Sequence, residues 1–244
     1  MLELSALVFA AASPERLSEF WAAVLGFDRE GESLVDPGGE VPRLVFRAAP
    51  KTPTVEVPIH LDVNTPDPED EIQRLLGLGA RIVVRKTVSY VEFSESWTVL
   101  RDPEGNGFCL QGPDTRREST YLGNVTFACA EPVQLSRFWR EALGYDETVF
   151  PQELERSMVD AGIDPAEFEA FGDAVHPGER RPRLLFQRRQ KTPAPDPPLT
   201  LELRADDVES EAERLMRLGA TRAGEEGGVV ALLDPGGNRF TVGG

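Results

Sequence analysis

Apolar residues along this chain switch between two periods. Alternating runs such as LSALVFAAA (Leu4 to Ala12) and VPIHLDVNT (Val57 to Thr65) read as strands. Each leads into a stretch with helical spacing, Leu17, Phe20, Trp21, Val24 and Leu25 in the first case and Ile72, Leu75, Leu76 and Leu78 in the second. Ser13, and Thr65 or Asp67, stand where a side-chain oxygen caps a helix. Pro14 and Pro68 suit the first turn, and Gly26 and Gly79 suit the left-handed stop. Short extended runs separated by turn signals follow. Asp36-Pro37-Gly38-Gly39 precedes PRLVFRA (Pro42 to Ala48); RIVVRKTVSY and SWTVLR follow the second helix; Asp102-Pro103-Glu104-Gly105-Asn106 turns into GFCLQ. The pattern predicts a strand, a helix and about three antiparallel strands, a βαβββ unit that occurs twice in the first half.

The second half repeats the first. PERLSEFWAAVLGFD (Pro14 to Asp28) returns as PVQLSRFWREALGYD (Pro132 to Asp146), Lys51 to Ala80 returns as Lys191 to Ala220, and DPEGNGF (Asp102 to Phe108) returns as DPGGNRF (Asp234 to Phe240). The period is too long for a solenoid and predicts two α+β domains, residues 1–114 and 120–244, each of paired βαβββ units forming a curved mixed sheet with helices on its convex face. Second-copy strands are expected at Asn124 to Ala130, Pro182 to Gln187, Leu199 to Ala205, Gly228 to Leu233 and Arg239 to Val242. The copies differ chiefly by an insertion near 150–180. There Leu154, Met158 and Val159 suggest a helix and Asp164-Pro165 a second cap, a structured flap rather than a linker.

Composition narrows the functional classes. A formal charge of −16 opposes nucleic acid and anionic lipid, which recruit clustered cations. No apolar run approaches the roughly 20 residues of a membrane span. The apolar start, Met1 to Arg16, lacks a basic leader and has an internal counterpart in LGNVTFACAEP, so both read as strands. Cys109 and Cys129 are too few for a disulfide framework and are spaced for no zinc site, which makes a cytoplasmic location the expectation.

Four such units with the phrases HLDV, LLGLGA and VLRDPEGNGFCL resemble the vicinal oxygen chelate superfamily, in particular its glyoxalase-like branch, similar to bleomycin resistance proteins. The resemblance implies curved sheets whose concave faces hold a ligand. In many members it also implies a divalent metal bound by one side chain from the first strand and one from the last strand of each unit. Carried onto this chain, those positions hold Ala6, His60, Cys109 and a residue on or beside Phe46 in the first copy. In the second they hold Asn124, Thr200, Thr241 and a residue on or beside Phe186. Only His60 is a good ligand, with Cys109 as a possible thiolate, so the familiar metal site is not expected and no cofactor is predicted.

Alternation sets Ala6, Val8, Ala10, His60, Asp62, Asn64, Trp97, Cys109 and Gln111 on one concave face in the first domain. His60 with Asp62 could act as base or acceptor, or His60 simply bonds a neighbouring strand. Trp97 offers a stacking face or is core; Trp21 and Trp139 are core; Cys109 is a small buried hydrophobe. In the second copy Asn124, Thr126, Thr200, Glu202, Arg204 and Thr241 take the concave positions, with Glu202 and Arg204 expected to pair with each other. The leading expectation is a metal-independent module that binds a small apolar or aromatic molecule, as a pseudo-dimeric monomer or a homodimer. The alternative is a glyoxalase, lyase or dioxygenase-like enzyme using His60 with a metal, or His60 and Asp62 as acid and base, with Glu56 and Glu92 near the site if the register slips.

Overall fold

The computed structural model describes residues 2–50, 58–89, 94–148, 159, 169–178, 182–189 and 197–244. Most of the insertion expected near 150–180 lies outside them, as do Glu56 and Glu92. The first unit runs β1 (Glu3–Ala11), α1 (Pro14–Leu25), β2 (Asp28–Glu30), β3 (Ser33–Val35) and β4 (Arg43–Ala48). The second runs β5 (Ile59–Asn64), α2 (Pro68–Gly77), β6 (Arg81–Ser89), β7 (Ser94–Arg101) and β8 (Gly107–Gln111). The third has β9 (Tyr121–Cys129), α3 (Pro132–Leu143), β10 (Phe171–Ala174) and β11 (Arg183–Arg188). The fourth has β12 (Leu199–Arg204), α4 (Val208–Leu218), β13 (Thr221–Glu226), β14 (Val229–Leu233) and β15 (Arg239–Gly243).

The α+β architecture of paired βαβββ units is present, but each unit pairs with one from the other copy. An eight-stranded sheet runs β13-β14-β15-β12-β1-β4-β3-β2 and joins the fourth unit to the first. A seven-stranded sheet runs β10-β11-β9-β5-β8-β7-β6 and joins the third unit to the second. The seams are antiparallel, β1 against β12 with Val8 opposite Thr200, and β5 against β9 with His60 opposite Thr126. This corrects the expected grouping: Ala6, Val8 and Ala10 lie in the eight-stranded sheet, away from His60, while Asn124 and Thr126 join His60 in the other. Alternation assigns a residue to a face but carries no information on which strand lies beside it.

The copies keep their identity in the helical layer. Trp21 of α1 meets Phe108 of β8 at 5.2 Å between ring centroids, and in the second copy Trp139 of α3 meets Phe240 of β15 at 5.0 Å. Phe9 stacks on Phe46 as Phe127 stacks on Phe186, so both phenylalanines near the expected ligand positions belong to the cores and face away from the cups. Arg74 of α2 donates to the carbonyls of Ala23 and Val24 at the end of α1, and Arg214 of α4 donates to those of Glu141 and Ala142 at the end of α3. A cation there satisfies orphan carbonyls and suits the negative end of the helix dipole. These helix and aromatic contacts stay within a copy, whereas the buried apolar cluster is continuous and the two concave sheets are shared between copies.

Local capping follows the sequence at some ends only. Asp67 accepts from the Asp70 N–H and Asp207 from the Ser210 N–H, and Gly26 and Gly79 adopt positive φ. Ser13 makes no side-chain cap. Glu104 of the Asp102-to-Asn106 turn accepts instead from the Ala12 and Ser13 N–H groups at 3.0 and 2.7 Å, so a residue of the second unit caps the helix of the first.

Candidate binding site

The concave face of the seven-stranded sheet is a grid in register. Its central row crosses the strands as Arg183, Asn124, Asp62, Cys109, Val99 and Val84. His60 and Thr126 sit opposite each other in the next row, and Gln111, Trp97 and Lys86 form a third with Asn64. Odd positions of β5 (Ile59, Leu61, Val63) point into the helical core and are at most 1% exposed, which leaves the even positions for the cup.

Asp62 is the hub of this face. It is 1% exposed. One oxygen lies 3.3 Å from Nε2 of His60, and the other accepts from Thr126 Oγ1 at 2.7 Å and Asn124 Nδ2 at 3.1 Å. Burial works against the charged carboxylate, but the hydrogen bond and charge of His60, with the bonds from Thr126 and Asn124, outweigh it and hold the carboxyl below its ordinary value. The network continues outward: Asn124 Oδ1 accepts from Arg183 Nε at 3.0 Å, and Arg183 approaches Asp173 at 3.5 Å. Cys109 lies beside this hub. Burial pushes its thiol far up, and the charge and hydrogen bond of Asp62 push the same way, against weaker pulls from Arg189 and Lys86. Cys109 is thus a neutral donor to Asp62 rather than a nucleophile. Cys129 is also pushed up, to about 11, mainly by burial.

The other expected residues divide into three roles. Thr126 and Asn124 are buried and support Asp62. Asn64 is turned to the connection between the copies: its amide donates to Asp114, which also accepts from the Tyr121 hydroxyl, and Gly123 makes the approach possible because a Cβ there would lie 2.2 Å from Asn64 Oδ1. His60, Trp97 and Gln111 are half-buried on the concave side, with surface left for a ligand. Arg183, Val99 and Lys86 complete the face. No spacing announces them, since only the parallel pairing of β9 with β11 brings Arg183 to Asn124.

The eight-stranded sheet carries the pseudo-symmetric face in different chemistry. Thr200 takes the place of His60, Glu202 that of Asp62, Thr241 that of Cys109 and Ala6 that of Asn124. Glu202 and Arg204 do not pair with each other. Arg204 pairs with Glu3, its register partner on β1, at 2.7 Å, and Glu202 reaches over β1 to Arg47 of β4 at 2.5 Å, across the small side chains Ala6 and Ala10. A void of about 10 Å³ lined by Phe9, Trp21, Ile59, Leu61 and Leu199, with His60, lies toward the helical side and is no larger than one water needs, far below a ligand pocket.

The glyoxalase-like domain family matches residues 6–111 and 124–243. The chain belongs to this family. Among solved structures, glyoxalase I from Zea mays is similar at 14% identity with a TM-score of 0.68, over 99% of this chain and 92% of that one. A putative dioxygenase from Bacillus subtilis subsp. subtilis str. 168 is similar at 12% identity and 0.57, over 98% and 84%. These likenesses establish a shared fold. No curated protein matches the sequence.

The divalent metal that this fold holds in many relatives can be tested against the donors. In the eight-stranded sheet Ala6, Thr200 and Thr241 supply no adequate set. In the seven-stranded sheet His60, Asp62 and Cys109 bring one donor atom each within 4.8 Å of one another. The set stops at three donors, both oxygens of Asp62 are already engaged, and the Asn124 amide is committed to Asp62 and Arg183. The residues present do not fit the four-donor site of the family.

Proposed function

We propose that this member of the glyoxalase-like domain family binds a small apolar or aromatic molecule on the concave face of its seven-stranded sheet, without a metal. The observation that carries the reading is the internal closure of the polar hub: Asp62 is satisfied by His60, Thr126 and Asn124 at once. A hub of that kind needs no ion to balance it. It also fixes the His60 ring on one side of the central row, while the half-buried Trp97 and Gln111 stand on the other side, in the row of Asn64. Trp97 supplies a flat stacking surface, and Val99 and Val84 supply apolar wall. Small-molecule binding in the cytoplasm, by a chain whose two copies stand in for two subunits, is the setting that composition and charge favour. No helix among the described residues is long and apolar enough to cross a membrane.

The test is direct binding to protein purified in chelator, read with the neutral aromatic probe phenylnaphthylamine. Saturable binding that quenches tryptophan emission is expected, since Trp21 and Trp139 are each 1% exposed and Trp97 is the accessible indole among the three. Loss of the quench in Trp97→Phe would agree; binding that appears only after a divalent metal is added would overturn the reading.

A second reading rests on the proximity of His60, Asp62 and Cys109. A metal there would have to deprotonate Cys109 and displace the bonds that Thr126 and Asn124 make to Asp62, so that version requires a rearranged hub. Without a metal, the same His60 and Asp62 form an acid–base pair. Either version requires His60 for turnover, so activity toward a glyoxalase or lyase substrate that vanishes in His60→Gln would favour it.

A further inference from the structure

We infer that the wing formed by β6 and β7 selects a flat aromatic ligand that carries a negative charge, with Trp97 stacking on its ring and Lys86 and Gln111 holding its anionic group. The inference deepens the proposed function and rests on it. The geometry is one row of the sheet: Gln111 is in register with Trp97, and Trp97 with Lys86, so a carboxamide, an indole and an ammonium stand side by side on the concave face. Trp97 and Gln111 are half-buried and Lys86 is exposed, and among the described residues Lys86 has no carboxylate partner. Arg101, two positions along from Val99 and in register with Gly107, adds a second cation on the same face.

The comparison within the molecule makes this wing distinctive. In the eight-stranded sheet the same positions hold Glu226 opposite Val229 and Thr221 opposite Leu233, in place of Lys86 opposite Trp97 and Arg81 opposite Arg101. One wing is basic and aromatic; its pseudo-symmetric twin is acidic and aliphatic. The two cups therefore differ in the sign of charge they offer a ligand. Against a chain of net charge −16, a local cationic row is not a by-product of composition, because the overall field repels anions. The acids on the floor are committed to other partners: Asp62 is bonded to His60, Thr126 and Asn124, and Asp173 is engaged by Thr148 and Arg183. Lys86 and Arg189 are also close enough to act electrostatically on Cys109, so their charge reaches the cup floor.

The experiment titrates the intact chain with two probes of one ring skeleton, anionic anilinonaphthalene sulfonate and neutral phenylnaphthylamine, and follows probe emission and Trp97 quenching. The expected result is at least about tenfold tighter binding of the sulfonate, the worth of one charge-assisted hydrogen bond. Lys86→Glu is expected to remove that preference while neutral-probe binding persists, and added salt to weaken it. Arg29→Glu, the same charge change at an exposed site in β2, is expected to leave the preference intact. Equal affinity for the two probes, or a sulfonate preference that survives Lys86→Glu, overturns the inference and leaves the binding site standing. Failure of both probes to bind or to quench Trp97 overturns the proposed function and the inference together.

Discussion

Asp62 organises the candidate site because it is a buried carboxylate with every oxygen occupied. Replacing it with Asn turns one of its two oxygens into an N–H donor, so either His60 or the Thr126–Asn124 pair loses its acceptor, and Asp62→Asn is expected to destabilise the fold by about 2 kcal/mol. Thermal unfolding measures this, and Thr126→Val, which removes one bond, should cost about 1 kcal/mol. The pH behaviour separates two buried acids. Asp62 is held below its ordinary value, so its stabilisation is complete above the unfolded pKa and is lost as pH falls through the lower folded one. Asp234 is the reverse: burial outweighs its bonds from Asn238, Trp139 and Gly236 and raises it from 3.8 to about 6. Its contribution is fully present below the unfolded pKa and lost as pH rises through the folded one, so wild-type stability should carry a downward slope between about pH 4 and 6. Unfolding curves across that window should show the slope reduced in Asp234→Asn. At this scale the sequence was partly legible. His60, Asp62, Trp97, Cys109 and Gln111 all carry the alternation that assigns them to the cup, whereas the support of Asp62 by Thr126 and Asn124 depends on a seam between strands far apart in the chain.

Elements were legible where they bury something. The helices α1, α2, α3 and α4 and the central strands β1, β5, β9 and β12 announce themselves through apolar periodicity. The strands β2 (Asp28–Glu30) and β13 (Thr221–Glu226) do not, because they lie at sheet edges and every residue in them is exposed. β10 was concealed within the insertion, where FGDA shows too little alternation to stand out. The capping of α1 was misread for a related reason: Ser13 has the right chemistry and position, yet Glu104 takes the work from another unit. Glu104→Ala is expected to lower stability by about 1 kcal/mol, while Ser13→Ala should be nearly silent, a contrast that paired melting curves resolve. The repeated Glu-x-x-Arg of α2 and α4, Glu71 with Arg74 and Glu211 with Arg214, is a signal in the sequence that an inter-helix clasp could have explained. Arg74→Met or Arg214→Met should each cost about 1–2 kcal/mol and roughly add in the double variant, since the clasps lie in separate copies.

The whole molecule is two copies whose helices and aromatic contacts stay within each copy and whose sheets are shared. A concave face therefore exists only when both copies are present, which explains why duplication within one chain is useful: the second copy supplies Asn124, Thr126 and Arg183 to the hub around Asp62. Residues 1–114 expressed alone would expose the seam edges of β1 and β5. Because β1 is to the first copy what β9 is to the second, these edges can complete two sheets by pairing with each other across a two-fold axis. Sedimentation of that fragment should show a homodimer, and a stable monomer would contradict the pairing. The duplication and the fold class were plain in the sequence; the exchange of units between copies was not, because both pairings satisfy the same periodicities. The central claim is that the hub around Asp62 is closed without a metal. Elemental analysis of protein purified without chelator, wild type beside His60→Ala, tests it most directly. Metal far below one equivalent per chain in both is the predicted result, and about one equivalent in the wild type that disappears in His60→Ala would contradict it.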